Sequence, residues 1–205
     1  MSDQSLDLAF EPFQKIARFA RDIMVTEKID GSNAQIAIQK IADHVRPLHA
    51  ATTLTSYGQN YALYAGSRSR WLRAEKGFDN FGFAAWALDH AEALIDGLGE
   101  GRHFGEWWGS GINRGYGLDH KRFSLFNVDR WASVALPQGV FTVPVLYRGL
   151  FRTDAVEAAL ARLRSGGSLA APGFMQPEGV VVFHVAANAG FKVTLERDEE
   201  RKGKP

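Results

Sequence analysis

The stretch Thr26 to Gln35 reads TEKIDGSNAQ and sets a lysine two residues before an Asp-Gly pair. Apolar Met24-Val25 precedes it and an alternating run, IAIQ, follows, so Lys28 falls at a strand end beside a turn. Two readings suit that pattern. Asp-Gly makes a good hairpin turn, and a lysine beside one is ordinary solvated surface. A lysine amine fixed at a strand end is also a nucleophile, provided its surroundings favour the neutral form of a group that titrates near ~10.4 when free. The string K-x-D-G alone is too short to decide.

Five further islands follow in order: SRSR at 67–70, FGEWWG at 104–109, FSLFNVD at 123–129, PEGVVVF at 177–183 and FKV at 191–193. Their order is more specific than any one of them. The series resembles the covalent nucleotidyltransferases, comprising ATP- and NAD-dependent nucleic-acid ligases and mRNA capping enzymes. In detail it is most similar to ATP-dependent RNA ligases of the RNA-ligase-2 and RNA-editing-ligase kind, and Glu27 directly before the lysine favours that branch. The resemblance runs from about residue 23 to 196.

That resemblance implies a function and a site. Lys28 would attack the α-phosphorus of ATP, giving a Lys–AMP phosphoramidate and pyrophosphate. AMP would then pass to an RNA 5′-phosphate, and a 3′-hydroxyl would displace it. Glu27, Asp30 and Gly31 belong to the nucleotide-binding turn, where glycine would let the backbone approach the nucleotide. Arg68 matches an arginine on phosphate or ribose, a task suited to a planar fork of donors. Glu106 matches the glutamate that accepts from ribose hydroxyls, and Phe126 the aromatic that stacks on adenine. Glu178 matches a ligand for Mg²⁺ or Mn²⁺, which favour hard oxygen donors. Lys192 matches a phosphate-binding lysine. Arg70, Arg73 and Arg114 are candidate RNA or nucleotide contacts.

Two departures stand out. The family commonly has Phe-Asp where this chain has Phe126-Asn127, and two lysines one residue apart where it has Lys192 and Thr194. Lys202 or Lys204 would have to compensate for the second. GSGINRGYG at 109–117 is not a dinucleotide fingerprint, because its glycines at 109, 111 and 115 miss the G-x-G-x-x-G spacing and no helix opens there. A mobile loop carrying Arg114 beside Glu106 is the better expectation.

The elements that must position these residues can be read from periodicity. Residues 23–27 and 34–39 alternate as strands around DGSN, while 43–60 reads as a polar loop over or beside the site. Residues 62–67, 102–108, 123–128 and 140–147 read as strands. Residues 80–97 predict one helix, capped by Asn80 and ended by Gly97, with His90 a satisfied, partly buried histidine. A second helix is expected over 153–164, with Asp154 and Glu157 at capping-box spacing. Residues 179–185 and 191–196 should close a hairpin, and 197–205 should fray. The sum is an α+β domain with largely antiparallel sheets flanked by helices. The resemblance makes it a ligase-type adenylation domain spanning 1–205, with no OB domain.

Composition narrows the class. The chain has 205 residues, a formal net charge of +1 and no cysteine, which excludes disulfides, thiolate catalysis and Cys-based zinc sites. A near-neutral whole means that nucleic acid must be met by local cationic patches. No signal peptide or spanning run is evident, so a cytoplasmic protein acting on RNA ends, with an accessory RNA-binding partner possible, is the expectation. The alternatives are a minimal DNA ligase, a GTP-using capping-type enzyme, and a non-catalytic nucleotide- or RNA-binding relic of the fold.

Overall fold

The computed structural model describes residues 9–196. In chain order the strands are β1 (Asp22–Lys28), β2 (Ser32–Ile41), β3 (Thr52–Ser56), β4 (Gln59–Gly66), β5 (Gly101–Gly109), β6 (Lys121–Leu125), β7 (Val140–Thr142), β8 (Val145–Leu150), β9 (Gly179–His184) and β10 (Ala189–Thr194). The helices are α1 (Phe83–Asp89), α2 (Ala91–Leu98), α3 (Val128–Trp131) and α4 (Thr153–Gly166). Two sheets result, a four-stranded one in the order β10-β9-β1-β8 and a six-stranded one in the order β3-β4-β2-β5-β6-β7. Pairing is antiparallel except between β6 and β7. This is the expected α+β architecture with largely antiparallel sheets flanked by helices. Among the described residues no helix is long and apolar enough to cross a membrane.

Each sheet buries one face. Ile36, Ile38, Leu63 and Ala65 turn inward with Phe83, Leu94 and Ile95 of α1 and α2, and with Trp107 and Phe123. In the small sheet Ile23, Val25, Val180 and Val182 pack on Ala159, Leu160 and Leu163 of α4. The period of two along β1 then sends Met24, Thr26 and Lys28 to the opposite face, which lines a cavity.

Several sequence expectations change. β1 and β2 do not form a hairpin, because β1 pairs with β8 and β9 while β2 pairs with β4 and β5. The chain instead crosses between sheets at residues 29–31, anchored by Ile29 in a small core with Trp108, Tyr116 and Val143. Residues 43–60 are not a loop over the site, since they hold β3 and the start of β4 at the sheet's far edge. The strand expected at 140–147 splits into β7 and β8, which belong to different sheets.

The long helix is broken at His90, whose φ of −109° leaves the helical region. Asp79, rather than Asn80, caps its start, accepting from the backbone N–H groups of Ala84 (2.8 Å) and Ala85 (3.1 Å). Gly97 lies inside α2, where a Cβ would stand 2.4 Å from Pro137 Cγ. His90 is satisfied as expected, its Nδ1–H donating to the Trp86 carbonyl at 2.8 Å. The capping box of α4 does not form, because Asp154 lies within the helix and accepts from Arg152 instead. The tail at 197–205, with Lys202 and Lys204, lies outside the described residues.

Candidate active site

A cavity of about 770 Å³ opens between the cavity-facing sides of the two sheets, within the range that holds a nucleotide-sized ligand. Lys28 ends β1 at its floor, opposite Gly179 in the β9 ladder. Its Nζ donates to Glu178 Oε2 at 2.5 Å, with both side chains about four-fifths buried (22% and 18% exposed). The ladder register therefore fixes which carboxylate meets the lysine.

The facing wall comes from β2 and β5, where Asn33 stands opposite Glu106. Asn33 Nδ2 donates to Glu106 Oε2 at 2.9 Å, and Asn33 Oδ1 accepts from Arg68 Nε at 3.0 Å. Burial raises the Glu106 carboxyl to about 7, against the opposing pull of the Asn33 hydrogen bond and the Lys28 charge. Phe126, 44% exposed, follows β6 on the cavity rim. Asn127 caps α3 by accepting from the Arg130 N–H at 3.4 Å, which gives the Asn of Phe-Asn a local structural use. Lys192 enters from β10 beside Val181, and Thr194 stands beside Gly179.

Lys28, Asp30, Gly31, Arg68, Glu106, Phe126 and Lys192 thus line one cavity, with Glu178 against Lys28. Two expected residues, Glu27 and Arg114, have protein partners of their own. The Glu27 carboxylate points to the other side of β1, is 1% exposed, and accepts from Ser168 Oγ (2.5 Å), Leu169 N (2.8 Å) and Ala170 N (3.0 Å). It fastens the loop before β9 to β1, and Glu27 is also among the residues lining the cavity. Arg114 donates to Asp30 Oδ2 (3.0 Å) and the Gln176 carbonyl (3.0 Å), and lies 3.5 Å from Glu196. With Asn113 donating to Asp30 Oδ1 and the Gly31 carbonyl, the loop at 109–117 is a tie for the K-x-D-G turn. Arg70 and Arg73 are exposed outside the cavity, Arg73 lying over Phe78 and beside Glu75.

Gly31 is required by packing. A Cβ there would sit 2.5 Å from the Trp107 carbonyl oxygen and 2.8 Å from Trp108 Cβ, so the close approach to β5 requires glycine.

Asn33 is the residue that sequence reasoning passed over, although it stands inside the quoted string TEKIDGSNAQ. Its value depends on β2 and β5 being neighbours, which one sequence does not announce. Ser168 gave no signal at all. Among the described residues no three His, Asp or Glu side chains gather as a metal site. A divalent cation wants about six oxygens, so an ion at Glu178 would draw most of its ligands from phosphate and water.

A family model of RNA ligases matches residues 21–194. The chain belongs to the RNA ligase family. Solved structures of a Naegleria gruberi RNA ligase share its fold. A variant of that RNA ligase with ATP and Mn gives a TM-score of 0.56 at 19% identity, covering 90% of this chain and 53% of the other. A variant with AMP and Mn gives 0.52 at 20% identity, covering 90% and 53%. This chain spans about half the length of the structures it matches. No curated protein sequence matches it.

Proposed function

We propose that this RNA ligase family member is an ATP-dependent RNA ligase acting through a covalent Lys28–AMP intermediate. One observation carries the reading: Lys28, part-buried and ion-paired with Glu178, lines the same cavity as Arg68, Glu106, Phe126 and Lys192. A solvated turn lysine would have no reason for that company.

The chemistry follows from the groups present. Lys28 Nζ forms a bond to the α-phosphorus of ATP as the bond to pyrophosphate breaks, and the departing ammonium proton has an acceptor in Glu178. Lys192 and Arg68 oppose the charge on the phosphates, Glu106 accepts from ribose hydroxyls, and Phe126 covers the adenine. Mg²⁺ or Mn²⁺, held by Glu178 and phosphate oxygens, would supply further charge neutralisation. An RNA 5′-phosphate oxygen then attacks the AMP phosphorus and frees Lys28. Finally a 3′-hydroxyl attacks the activated 5′-phosphorus and AMP leaves. Among the described residues the cavity lining runs from Met24 to Lys192.

The test is incubation of the protein with Mn²⁺ or Mg²⁺ and α-labelled ATP or GTP. Label should remain on the denatured wild type with ATP, stable to alkali and released by acid as a phosphoramidate is, and be absent from Lys28→Ala. No label on the wild type, or equal label on the variant, refutes the covalent scheme. Nicked RNA, nicked DNA and free RNA ends supplied to the labelled protein then separate RNA ligase from DNA ligase.

A further inference from the structure

The wall that carries Asn33 and Glu106 continues past the cavity as an open sheet face. On that face the β2 register builds successive rows. Asn33 faces Glu106 in the first, Gln35 lies between Gly66 and Phe104 in the next, and Ala37 lies between Tyr64 and Arg102 in the third. The reverse side of the same strands is the core, and this face is partly open, with Phe104 and Arg102 exposed although Ala37 is buried.

Their chemistry is unusual for a solvated face. Phe104 is 52% exposed. Tyr64 packs against Trp71 at 5.1 Å between ring centroids, and Trp71 lies over Gly66, where a Cβ would meet its ring at 3.0 Å. The exposed Arg102 guanidinium lies 5.4 Å from the Trp71 ring and donates to Gln35 Oε1 at 3.2 Å. The second and third rows contain three aromatic rings, counting Trp71, and a cation but no carboxylate. Aromatic platforms with an interleaved arginine suit the bases and phosphates of a nucleic acid.

The spacing selects among nucleic acids. Phe104 on β5 and Tyr64 on β4 are one row and two strand spacings apart, about 12 Å in all, while one strand of a duplex advances about 3.4 Å per nucleotide. Neighbouring stacked bases of a duplex cannot occupy both rows. An unpaired strand can part its bases to that distance and offer their faces to the rings.

We propose that this face is a subsite for unpaired RNA nucleotides adjoining the end held at Lys28. One base stacks on Phe104, another on the Tyr64–Trp71 pair, and Arg102 binds the intervening phosphate. The proposal rests on the RNA ligase reading above and adds to it that the strand beside the join is single-stranded on this face.

The test uses the full chain and a fluorescein-labelled RNA dodecamer with a 3′-hydroxyl, alone or in a blunt duplex of the same sequence. Fluorescence anisotropy should show the single strand binding more tightly. Phe104→Ala and Phe104→Leu should each weaken it about tenfold, and Arg102→Ala should lower the salt slope by about one. Leucine keeps the apolar bulk without the π face, so Phe104→Leu should melt as the wild type does. With 4-thiouridine in the RNA, crosslinked peptides should include Tyr64, Trp71 or Phe104. Equal or tighter duplex binding, variants that bind as the wild type, or crosslinks confined to other surfaces overturn the proposal. So does a dimer that Phe104→Ala dissociates without affecting RNA binding. Labelling by α-labelled ATP separates the two readings: label retained with no effect on RNA binding sinks only this subsite, whereas an unlabelled wild type sinks the ligase scheme itself.

Discussion

Glu27 allows the sharpest test, because the family resemblance and the geometry assign it different roles. Its carboxylate accepts from Ser168 Oγ and the backbone N–H groups of Leu169 and Ala170, at 2.5, 2.8 and 3.0 Å. Glu27→Ala removes that acceptor and strands two N–H groups at a partly buried site. Hydrogen bonds to a charged partner contribute ~1.5–3 kcal/mol each, but losses within one network do not add and the loop can relax toward water. The expected cost is about 3–5 kcal/mol, which lowers Tm by about 10 °C for a domain of this size. In Glu27→Gln the amide oxygen still accepts from Leu169 and Ala170 and the NH₂ group faces Ser168, so the cost falls to ~1–2 kcal/mol. Urea unfolding followed by circular dichroism measures both, and ATP labelling of Lys28 is read at 15 °C, where both variants are folded. Glu27→Gln should then label nearly as the wild type does. The reasoning fails if Glu27→Ala unfolds at the wild-type urea concentration. It fails equally if Glu27→Gln is stable yet takes no label, since the carboxylate would then serve the nucleotide.

Two further outcomes follow from the site. Burial raises Glu106 to about 7 from 4.5. The folded chain therefore holds this proton where the unfolded chain has released it, and stability falls as pH rises from about 4.5 to about 7, then levels. Glu106→Gln should remove up to ~3 kcal/mol of that decline, seen as a wild-type-minus-variant difference in urea titrations at pH 5 and pH 8. A pH-independent difference would refute it. Arg114 joins Asp30 to the Gln176 carbonyl two residues before Glu178. Arg114→Ala should cost ~2 kcal/mol and slow Lys28 labelling, and Arg114→Lys should restore little, because a single ammonium does not span both partners. Full recovery by lysine would mean that charge alone matters.

Much of the site was legible in the sequence because its residues belong to motifs with their own local pattern. Lys28, Arg68, Glu106, Phe126 and Lys192 all line the cavity where the ordered islands implied a nucleotide. The alternation read over 23–27 is the one that puts Ile23 and Val25 in the core opposite Lys28. Side-chain period is a local property and survives without partners.

Partners are not local. Two adjacent strands read as a hairpin, yet β1 and β2 entered different sheets, because Ile29 is buried with Trp108, Tyr116 and Val143 and carries the chain across. Glu27 and Lys28 are neighbours in sequence and serve opposite sides of one strand. The sequence by itself singled out Lys28 as the candidate nucleophile, the types of its companions, and the period of two along the strands. Only the tertiary structure decided that Glu178 meets Lys28, that Asn33 joins Arg68 to Glu106, and that Glu27 and Arg114 hold the scaffold. Those facts depend on ladder registers between strands far apart in the chain, and register is set by the packing of the whole domain.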